Sequence, residues 1–248
     1  MPSRTNRILE ILTTRKRVEV SILAEELGIS QVTMRKDLSE LEQRGLIRRE
    51  HGFAEIRSTD AVEGRLAYHY EAKLEIARRA VADIRDGDTV MIENGSCCAL
   101  LAAMIADERR DVTVITNSAF IASYVRDRPD ANVILLGGIY QNDSQVTVGP
   151  LIGQCLGGFF VERLYVGTDG YSVPGGFTNS DLMRAQAVHD MAERAGQVVV
   201  LTESEKFSQR GTVPIDFAGR PVQVITDRHI PDAARLGLAD AGMELVTV

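Results

Sequence analysis

The chain has 248 residues, of which 44% are hydrophobic and 25% are charged, and its formal net charge is −7 at pH 7. This length and composition are typical of a globular protein with two domains, and no apolar run approaches the roughly 20 residues that a membrane-spanning helix requires. The amphipathic N-terminal segment does not resemble a signal peptide, and the three cysteines have no metal-ligand or CxxC spacing. We therefore expect a cytoplasmic protein that does not enter a membrane and holds no metal or cofactor.

The negative charge is concentrated in the second part of the chain. Residues 1–57 carry 11 basic and 9 acidic side chains, a net charge of +2, whereas the remaining residues carry 17 and 26, a net charge of −9. A basic N-terminal region favours contact with the phosphate backbone of nucleic acid.

The first 57 residues predict three short helices. Apolar residues at helical spacing indicate the first helix within residues 4–13 and the second from Val20 to Leu27. Gly28 suits the left-handed end of the second helix. The third helix is expected from Ser30, which offers an N-cap hydroxyl, to Arg44, with Gly45 ending it.

The third helix has an apolar stripe and a polar N-terminal half. A helix that begins with hydroxyl, amide and cationic side chains is chemically suited to reading base edges in a major groove. The candidate residues for base reading and adjacent phosphates are Ser30, Gln31, Thr33, Arg35 and Lys36.

A basic hairpin is expected after the third helix. Leu46–Arg49 and Ala54–Arg57 are predicted to be short strands around His51-Gly52, in the manner of a DNA-binding wing. The alternative is an ordinary β-hairpin that completes a small helical core. The residues expected to contact DNA phosphates are Arg44, Arg48, Arg49 and Arg57.

The run ILAEELGISQVTMRKDLSELEQRGLIRREHGFA closely resembles the DeoR family of bacterial transcriptional regulators. The resemblance implies an N-terminal winged helix-turn-helix. Glu19 stands where the family usually has Ser or Thr before the second helix, which predicts a weaker N-cap. Phe53 replaces the second glycine of the family's HGGA turn and leaves the conformation of the wing tip open.

Two further segments follow the predicted DNA-binding domain of residues 1–57. Residues 58–70 contain turn-forming residues without a sustained apolar period and are expected to be a linker. Residues 71–248 alternate between predicted strands and helices, including a glycine-rich loop up to Phe177 and a long helix over 180–195. The predicted fold class is an α/β sensor domain with an N-terminal winged helix-turn-helix domain.

Small, hydroxylic or amidic residues follow several predicted strands of the second domain. In an open α/β sheet, ligands bind beyond the carboxyl ends of the strands, where a following helix N-terminus can hold a phosphate. A lysine further along the chain would add a cation. The candidate effector-binding residues are Glu93, Asn94, Gly95, Ser96, Cys97, Thr116, Asn117, Ser118, Gly137, Gly138, Gly167, Thr168, Asp169, Gly170 and Lys206.

The segments KLEIARRA, DGDTVMIENGS, VTVITNS, VILLGG, LYVGTDG and SEKF follow the pattern of the same family in order. The resemblance implies a sensor domain that is similar in fold to sugar-phosphate isomerases and binds a phosphorylated sugar or a related metabolite. Gly95-Ser96-Cys97 stands where the family usually has Gly-Thr-Thr, a difference that bears on which effector fits.

The sequence favours a DNA-binding transcriptional regulator, a repressor of a carbohydrate-metabolism operon. It is expected to bind operator DNA as a homo-oligomer, a dimer or a tetramer, under the control of a phosphorylated sugar. One alternative is a sugar-phosphate isomerase-like enzyme with an appended DNA-binding module, in which Glu93, Asp169 and Lys206 would supply acid, base and cation. A DNA-architectural protein without a ligand is a third class.

Overall fold

The computed structural model describes residues 4–43, 46–55, 66–173 and 175–248. It divides into two compact units, Met1–Glu71 and Ala72–Val248. The predicted residues Arg44, Gly45 and Arg57 lie outside the described residues, as does most of the predicted linker, so the domain boundaries stay predictions. No helix in the described ranges has the length and apolar character needed to cross a membrane.

Within residues 4–43 and 46–55, the N-terminal unit combines three helices with a small antiparallel sheet, as predicted. The apolar stripes of the helices supply its core, in which Leu12, Leu23 and Leu38 are fully buried. Its sheet has the strand order β1-β3-β2. The elements are α1 (Arg4–Arg15), β1 (Arg17–Glu19), α2 (Val20–Glu26), α3 (Gln31–Gln43), β2 (Arg48–Glu50) and β3 (Phe53–Glu55).

The turn between α2 and α3 has the expected backbone chemistry. Gly28 has a φ of +65°, in the left-handed region. The Ser30 hydroxyl oxygen accepts the backbone N–H of Thr33 at 3.1 Å and caps α3. The Glu19 carboxylate, by contrast, accepts no backbone N–H of α2 and instead accepts the hydroxyl of Ser21. The start of α2 therefore lacks the side-chain cap that α3 has.

The wing tip is a two-residue turn formed by His51 and Gly52. Their φ angles are +48° and +84°, and Glu50 pairs with Phe53 across the turn. Positive φ at both central residues is the pattern of a type I′ hairpin turn, which needs no further glycine. Phe53 instead lies in β3, where its ring centroid is 4.4 Å from the guanidinium carbon of Arg17.

The C-terminal unit is built on a seven-stranded sheet in which all neighbouring strands are parallel, in the order β15-β14-β12-β9-β4-β5-β6. From residue 66 onward the elements are α4 (Tyr70–Val81), β4 (Thr89–Ile92), α5 (Ser96–Glu108), β5 (Thr113–Thr116), α6 (Ala119–Val125), β6 (Asn132–Leu135), β7 (Ile139–Gln141), β8 (Val146–Val148), α7 (Leu151–Cys155), β9 (Val161–Val166), β10 (Gly170–Ser172), β11 (Gly176–Asn179), α8 (Leu182–Ala192), β12 (Ala195–Leu201), β13 (Val213–Pro214), β14 (Val222–Thr226), α9 (Asp232–Asp240) and β15 (Glu244–Thr247).

The prediction of a glycine-rich loop up to Phe177 is wrong in part, because this stretch contains β10 and the start of β11. β10 and β11 form an antiparallel hairpin that β13 extends on one side. A Cβ atom on Gly170 would lie 2.3 Å from the carbonyl oxygen of Gln209, so this strand position requires glycine. The long helix predicted over 180–195 is shorter, because Asp181 caps it and β12 already begins at Ala195.

Candidate functional site

The N-terminal half of α3 presents a polar surface. Gln31, Arg35 and Lys36 are exposed and Thr33 is partly exposed, while the apolar stripe of the helix faces the core. Within the described residues, neither Arg35 nor Lys36 forms an ion pair with a carboxylate. Their charges are therefore available to a partner that carries phosphates or base acceptors.

Val32 is a surface residue that the sequence reasoning missed. Its side chain is 77% exposed, between the polar residues Gln31 and Thr33 on the first turn of α3. An exposed apolar side chain on a reading helix can contact the methyl group of thymine. The available signal was its position outside the stripe that carries Met34 and Leu38.

Arg49 connects the wing to α3. Its Nε donates to Oε2 of Glu42 at 2.8 Å, its backbone N–H donates to Oε1 at 2.9 Å, and its Nη1 donates to the carbonyl oxygen of Arg35 at 3.3 Å. Burial alone would raise the pKa of Glu42, but the hydrogen bonds from Arg49 outweigh it and lower that pKa. Arg49 thus holds β2 against α3, whereas the half-exposed Arg48 side chain lies near Glu50.

The carboxyl ends of β4 and β9 lie side by side in the middle of the parallel sheet. The chain leaves β4 towards β6 at one edge and returns to β9 to build the other half, so the strand order reverses at this point. A Cβ atom on Gly167 would lie 2.9 Å from the carbonyl oxygen of Asn94, and Gly95 has a φ of +148°. Glycine at both positions lets the two loops touch where α/β sheets bind ligands.

Three ionisable side chains, Glu93, Asp169 and Arg184, lie beside these loops. Nη2 of Arg184 lies 3.6 Å from Oδ2 of Asp169, and the same carboxylate oxygen accepts the backbone N–H of Ser180 at 2.9 Å. Burial raises the pKa of Glu93 to about 8, although the charge of Arg184 and the backbone of Asn94 act in the opposite direction. Glu93 is therefore largely protonated at neutral pH and can donate a hydrogen bond.

The predicted residues after β5 are turned into the fold. The backbone N–H of Ser118 donates to the hydroxyl oxygen of Thr116 at 3.0 Å, and the Ser118 hydroxyl donates to Oδ1 of Asn94 at 3.2 Å. The Asn117 amide donates to the carbonyl oxygen of Thr147 at 3.1 Å. Because all three predicted residues are fully buried, they shape the loop around Asn94 from behind.

Two other predicted effector residues, Thr168 and Gly138, have local structural roles. The Thr168 hydroxyl oxygen lies 2.7 Å and 3.0 Å from the carbonyl oxygens of Gly170 and Thr178, which fixes the start of β10. A Cβ atom on Gly138 would lie 2.6 Å from the carbonyl oxygen of Val148, so Gly138 allows β7 and β8 to pair. Gly137 is exposed.

Lys206 lies in a 3₁₀ segment, Ser204–Ser208, that packs beside β10. Its Nζ donates to Oε1 of Gln209 at 2.9 Å, and the backbone N–H of Tyr171 donates to the carbonyl oxygen of Gln209 at 2.9 Å. The segment therefore adjoins the strand that follows Asp169. The Lys206 segment follows the carboxyl end of β12, and the other two loops follow the carboxyl ends of β4 and β9. Because these strands are parallel, Lys206 lies at the same edge of the sheet as the β4 and β9 loops.

Lys73 and Glu203 form a buried ion pair next to the Lys206 segment, and sequence reasoning missed it as well. Nζ of Lys73 on α4 is 2.7 Å from Oε1 of Glu203, the residue that precedes the segment. The Cys97 thiol lies 3.8 Å from the other carboxylate oxygen. Burial raises the pKa of Cys97 well above its usual value, and the charge of Glu203 adds to this. Cys97 is accordingly a protonated packing residue, not a reactive thiolate.

A surface groove of about 420 Å³ lies elsewhere on the unit, between α7 and α8. It contains none of the predicted effector residues. Its lining residues are Gly149, Pro150, Gly153, Met183, Gln186, Asp190, Glu193 and Arg194.

Curated relatives align with nearly the whole chain. The HTH-type transcriptional regulator GolR of Listeria innocua is 27% identical over 97% of this chain and 96% of its own length. The putative aga operon transcriptional repressor of Escherichia coli O157:H7 is 28% identical over 99% of this chain and 93% of its own length. The L-fucose operon activator of Escherichia coli K12 is 28% identical over 92% of this chain and 95% of its own length.

Two family models account for the two parts of the chain. The model of the DeoR-like helix-turn-helix domain matches residues 4–60, and the model of the DeoR C terminal sensor domain matches residues 68–228. These matches confirm the resemblance and the fold class predicted from the sequence. With both domains in one chain, the protein belongs to the DeoR family of DNA-binding transcriptional regulators.

Proposed function

We propose that this regulator represses a carbohydrate-metabolism operon and that a phosphorylated sugar or related metabolite controls its binding to the operator. The observation that carries the proposal is the presence in one chain of an exposed polar and cationic N-terminal half of α3 and of polar loops at the strand-order reversal of the sensor sheet. The names of the relatives support a sugar operon as the target, since they include an aga operon repressor and an L-fucose operon activator.

The DNA contacts of the proposal centre on α3. Gln31, Val32, Arg35 and Lys36 are the exposed side chains of its first turns and would read base edges or adjacent phosphates. Arg48 on the wing would add a phosphate contact. Arg49 would act indirectly by fixing the wing against α3, because its guanidinium is engaged by Glu42.

A homo-oligomer is part of this proposal. One reading helix contacts too few base pairs to distinguish an operator from the rest of a genome, and two-fold related helices read two half-sites. A dimer or a tetramer would satisfy this requirement.

The effector would bind at the carboxyl ends of β4 and β9. The first amides of α5, beginning at Ser96, have no intrahelical acceptor and point towards this edge, where they suit an anionic group. Lys206 would add a positive charge, and the carboxyl groups of Glu93 and Asp169 would bind sugar hydroxyls. Thr116, Asn117 and Ser118 would support the cleft from behind.

Effector binding would change DNA affinity through its different affinity for two arrangements of the protein. The helix α4 carries the chain from the N-terminal unit into the sensor unit, and its Lys73 is bound to Glu203 directly before the Lys206 segment. A ligand that moves this segment would therefore act on α4 through a buried charge.

An isomerase-like enzyme is the second reading, with Glu93, Asp169 and Lys206 as its polar groups. The relatives are named as regulators, which favours the regulatory reading. Incubation with pentose and hexose phosphates separates the two, because product formation at enzymatic rates would exclude a pure regulator.

The proposal is tested by fluorescence anisotropy with labelled DNA from upstream of the gene itself and of neighbouring sugar-metabolism genes. We expect the protein to bind one fragment specifically, and its affinity for that fragment to change when a phosphorylated sugar is added. A fragment bound equally well with every metabolite would instead support a DNA-architectural protein.

A further inference from the structure

Arg184 lies on the first turn of α8, where a hydrogen bond from its backbone N–H to the N-cap residue fixes its position. Its N–H donates to Oδ1 of Asp181, the N-cap residue, at 2.9 Å, and Nε2 of Gln141 donates to the same oxygen at 3.3 Å. The hydrogen bonds that lower the pKa of Asp181 outweigh the effect of its burial, so the cap is ionised. The first turn of α8 is thereby anchored, and the Arg184 side chain extends from a fixed point.

The Arg184 guanidinium is largely buried without a matching acceptor. Its side chain is 14% exposed, and its contact with Asp169 is 3.6 Å long, beyond hydrogen-bond distance. No other described residue accepts a hydrogen bond from this guanidinium. No Arg184 nitrogen is both fully enclosed and without a partner, so the N–H groups that lack a protein acceptor are open to an oxyanion from solution.

The surrounding carboxyl groups do not exclude an anion. The Oδ2 atom of Asp169 accepts hydrogen bonds from the backbone N–H and the hydroxyl of Ser180, and an oxyanion would share the charge of Arg184 with this carboxylate. Glu93 is largely protonated at neutral pH because it is buried. An oxyanion bound by Arg184 would therefore meet one neutral carboxyl group and one paired carboxylate.

We propose that Arg184 is an oxyanion-binding residue of the effector site, in addition to the α5 amides and Lys206, and binds a phosphate or carboxylate group of a polyhydroxylated metabolite through two parallel N–H donors. The planar guanidinium matches both anions in a geometry that a lysine cannot reproduce. This inference rests on the proposed effector cleft and adds the residue that selects a charged ligand over a neutral sugar.

The test uses the purified full-length protein and three variants. Arg184→Gln removes the charge, Arg184→Lys keeps the charge and removes the forked donor pair, and Arg194→Gln changes an exposed arginine just beyond α8. The probes are inorganic phosphate, ribose 5-phosphate, glucose 6-phosphate and gluconate, with ribose and glucose as uncharged counterparts. Binding is measured by calorimetry and thermal shift, and DNA affinity is measured without a probe.

We expect at least one charged probe to bind the wild-type protein. Arg184→Gln should bind that probe about 10- to 100-fold more weakly, because hydrogen bonds between ionised groups are roughly twice as strong as those between neutral groups. Arg184→Lys should lose a large part of the same affinity, and Arg194→Gln should retain it. Binding of the phosphate-containing probes would identify a phosphate group as the bound anion. Binding of gluconate alone would identify a carboxylate.

Two results would overturn the inference. One is equal affinity of Arg184→Gln and wild type for the bound probe, which would leave the regulatory function standing with another anion receptor. The other is the absence of binding by every charged probe. If Arg184→Gln fails to fold, Arg184→Lys decides, because unchanged affinity of that variant excludes the forked contact. A repressor that responds to gluconate through Arg184 would uphold the inference and reject the phosphorylated effector.

Discussion

Nζ of Lys73 lies 2.7 Å from Oε1 of Glu203 in an ion pair whose side chains are 2% and 9% exposed. The pair joins α4 to the loop after β12, which continues into the Lys206 segment. Removing one partner of such a pair leaves a buried charge without compensation, at a cost of roughly 3–5 kcal/mol.

We therefore expect Lys73→Met to lower the free energy of unfolding by about that amount. The double variant Lys73→Met/Glu203→Gln should recover part of the loss, because it removes both charges. Urea unfolding of the wild type, Lys73→Met, Glu203→Gln and the double variant forms a double-mutant cycle. Strictly additive losses would show that the two side chains do not interact energetically.

Glu93→Gln should change how stability depends on pH. The pKa of Glu93 is raised to about 8 in the folded protein, whereas an unfolded glutamate titrates near about 4.3. Between these values the folded state holds a proton that the unfolded state has released, so Glu93 costs increasing stability as pH rises through this window. Glutamine removes that contribution.

Urea unfolding at pH 5 and pH 8.5 checks this expectation. The two proteins should differ little at pH 5, and Glu93→Gln should be more stable by a few kcal/mol at pH 8.5, given about 1.4 kcal/mol per pKa unit. A constant difference at both values would mean that Glu93 is ionised throughout.

The N-terminal unit could be predicted closely because its signals are local. The turn before α3 depends on Gly28 and on the hydroxyl of Ser30, and both act within three residues. The wing tip was left open because Phe53 replaces a glycine. The structure resolves it with positive φ angles at His51 and Gly52, a conformation that the sequence permits without specifying.

The sensor unit was harder to predict where contacts join distant segments. The hairpins β7–β8 and β10–β11 have strands of three or four residues, which show too little alternation to be recognised. Lys73 lies in an amphipathic segment whose apolar periodicity predicts a helix. That pattern could not reveal Glu203, 130 residues further along the chain, as the partner of Lys73. Arg184 likewise lies beside Asp169 only because α8 folds back onto the β9 loop, which local sequence signals do not predict.

Gly167→Ala should disturb the contact between the β4 and β9 loops. The added Cβ atom would lie 2.9 Å from the carbonyl oxygen of Asn94, which belongs to a backbone and cannot rotate away. Overpacking of this kind costs about 1–3 kcal/mol. We expect lower thermal stability and weaker effector binding, with effector-free DNA affinity retained.

Gly157→Ala is the matched control, since nothing lies within 4 Å of its Cβ position and its φ angle is not in the left-handed region. Thermal melts of both variants with and without a phosphorylated sugar provide the comparison. Equal behaviour of the two variants would show that the loops can separate without cost.

Lys206→Ala should abolish the effector response while leaving effector-free DNA binding intact. The Nζ atom bonds to Gln209, so the substitution also loosens the segment, and Lys206→Met serves as a variant of similar length. Arg228→Ala, at an exposed position after β14, is the control for loss of a positive charge. Anisotropy titrations with and without a sugar phosphate measure both properties, and a full response in Lys206→Ala would exclude Lys206 from the cleft.

Arg35→Ala should weaken specific operator binding. The Arg35 side chain is exposed on α3 and makes no ion pair with a described residue, so its loss should not disturb the fold. If its guanidinium contacts a base, the expected loss is roughly 1–3 kcal/mol, with relaxed discrimination at that base pair. Binding to unrelated DNA should change much less.

Lys36→Ala and Arg126→Ala complete the comparison. A phosphate contact by Lys36 would weaken binding to all sequences and reduce the salt dependence of the affinity, because one fewer counterion is released. Arg126 is exposed on the sensor unit, paired with Asp127, and its loss should leave operator affinity unchanged. Operator titrations at several salt concentrations separate these cases, and an Arg35→Ala variant with wild-type specificity would remove Arg35 from the base-reading set.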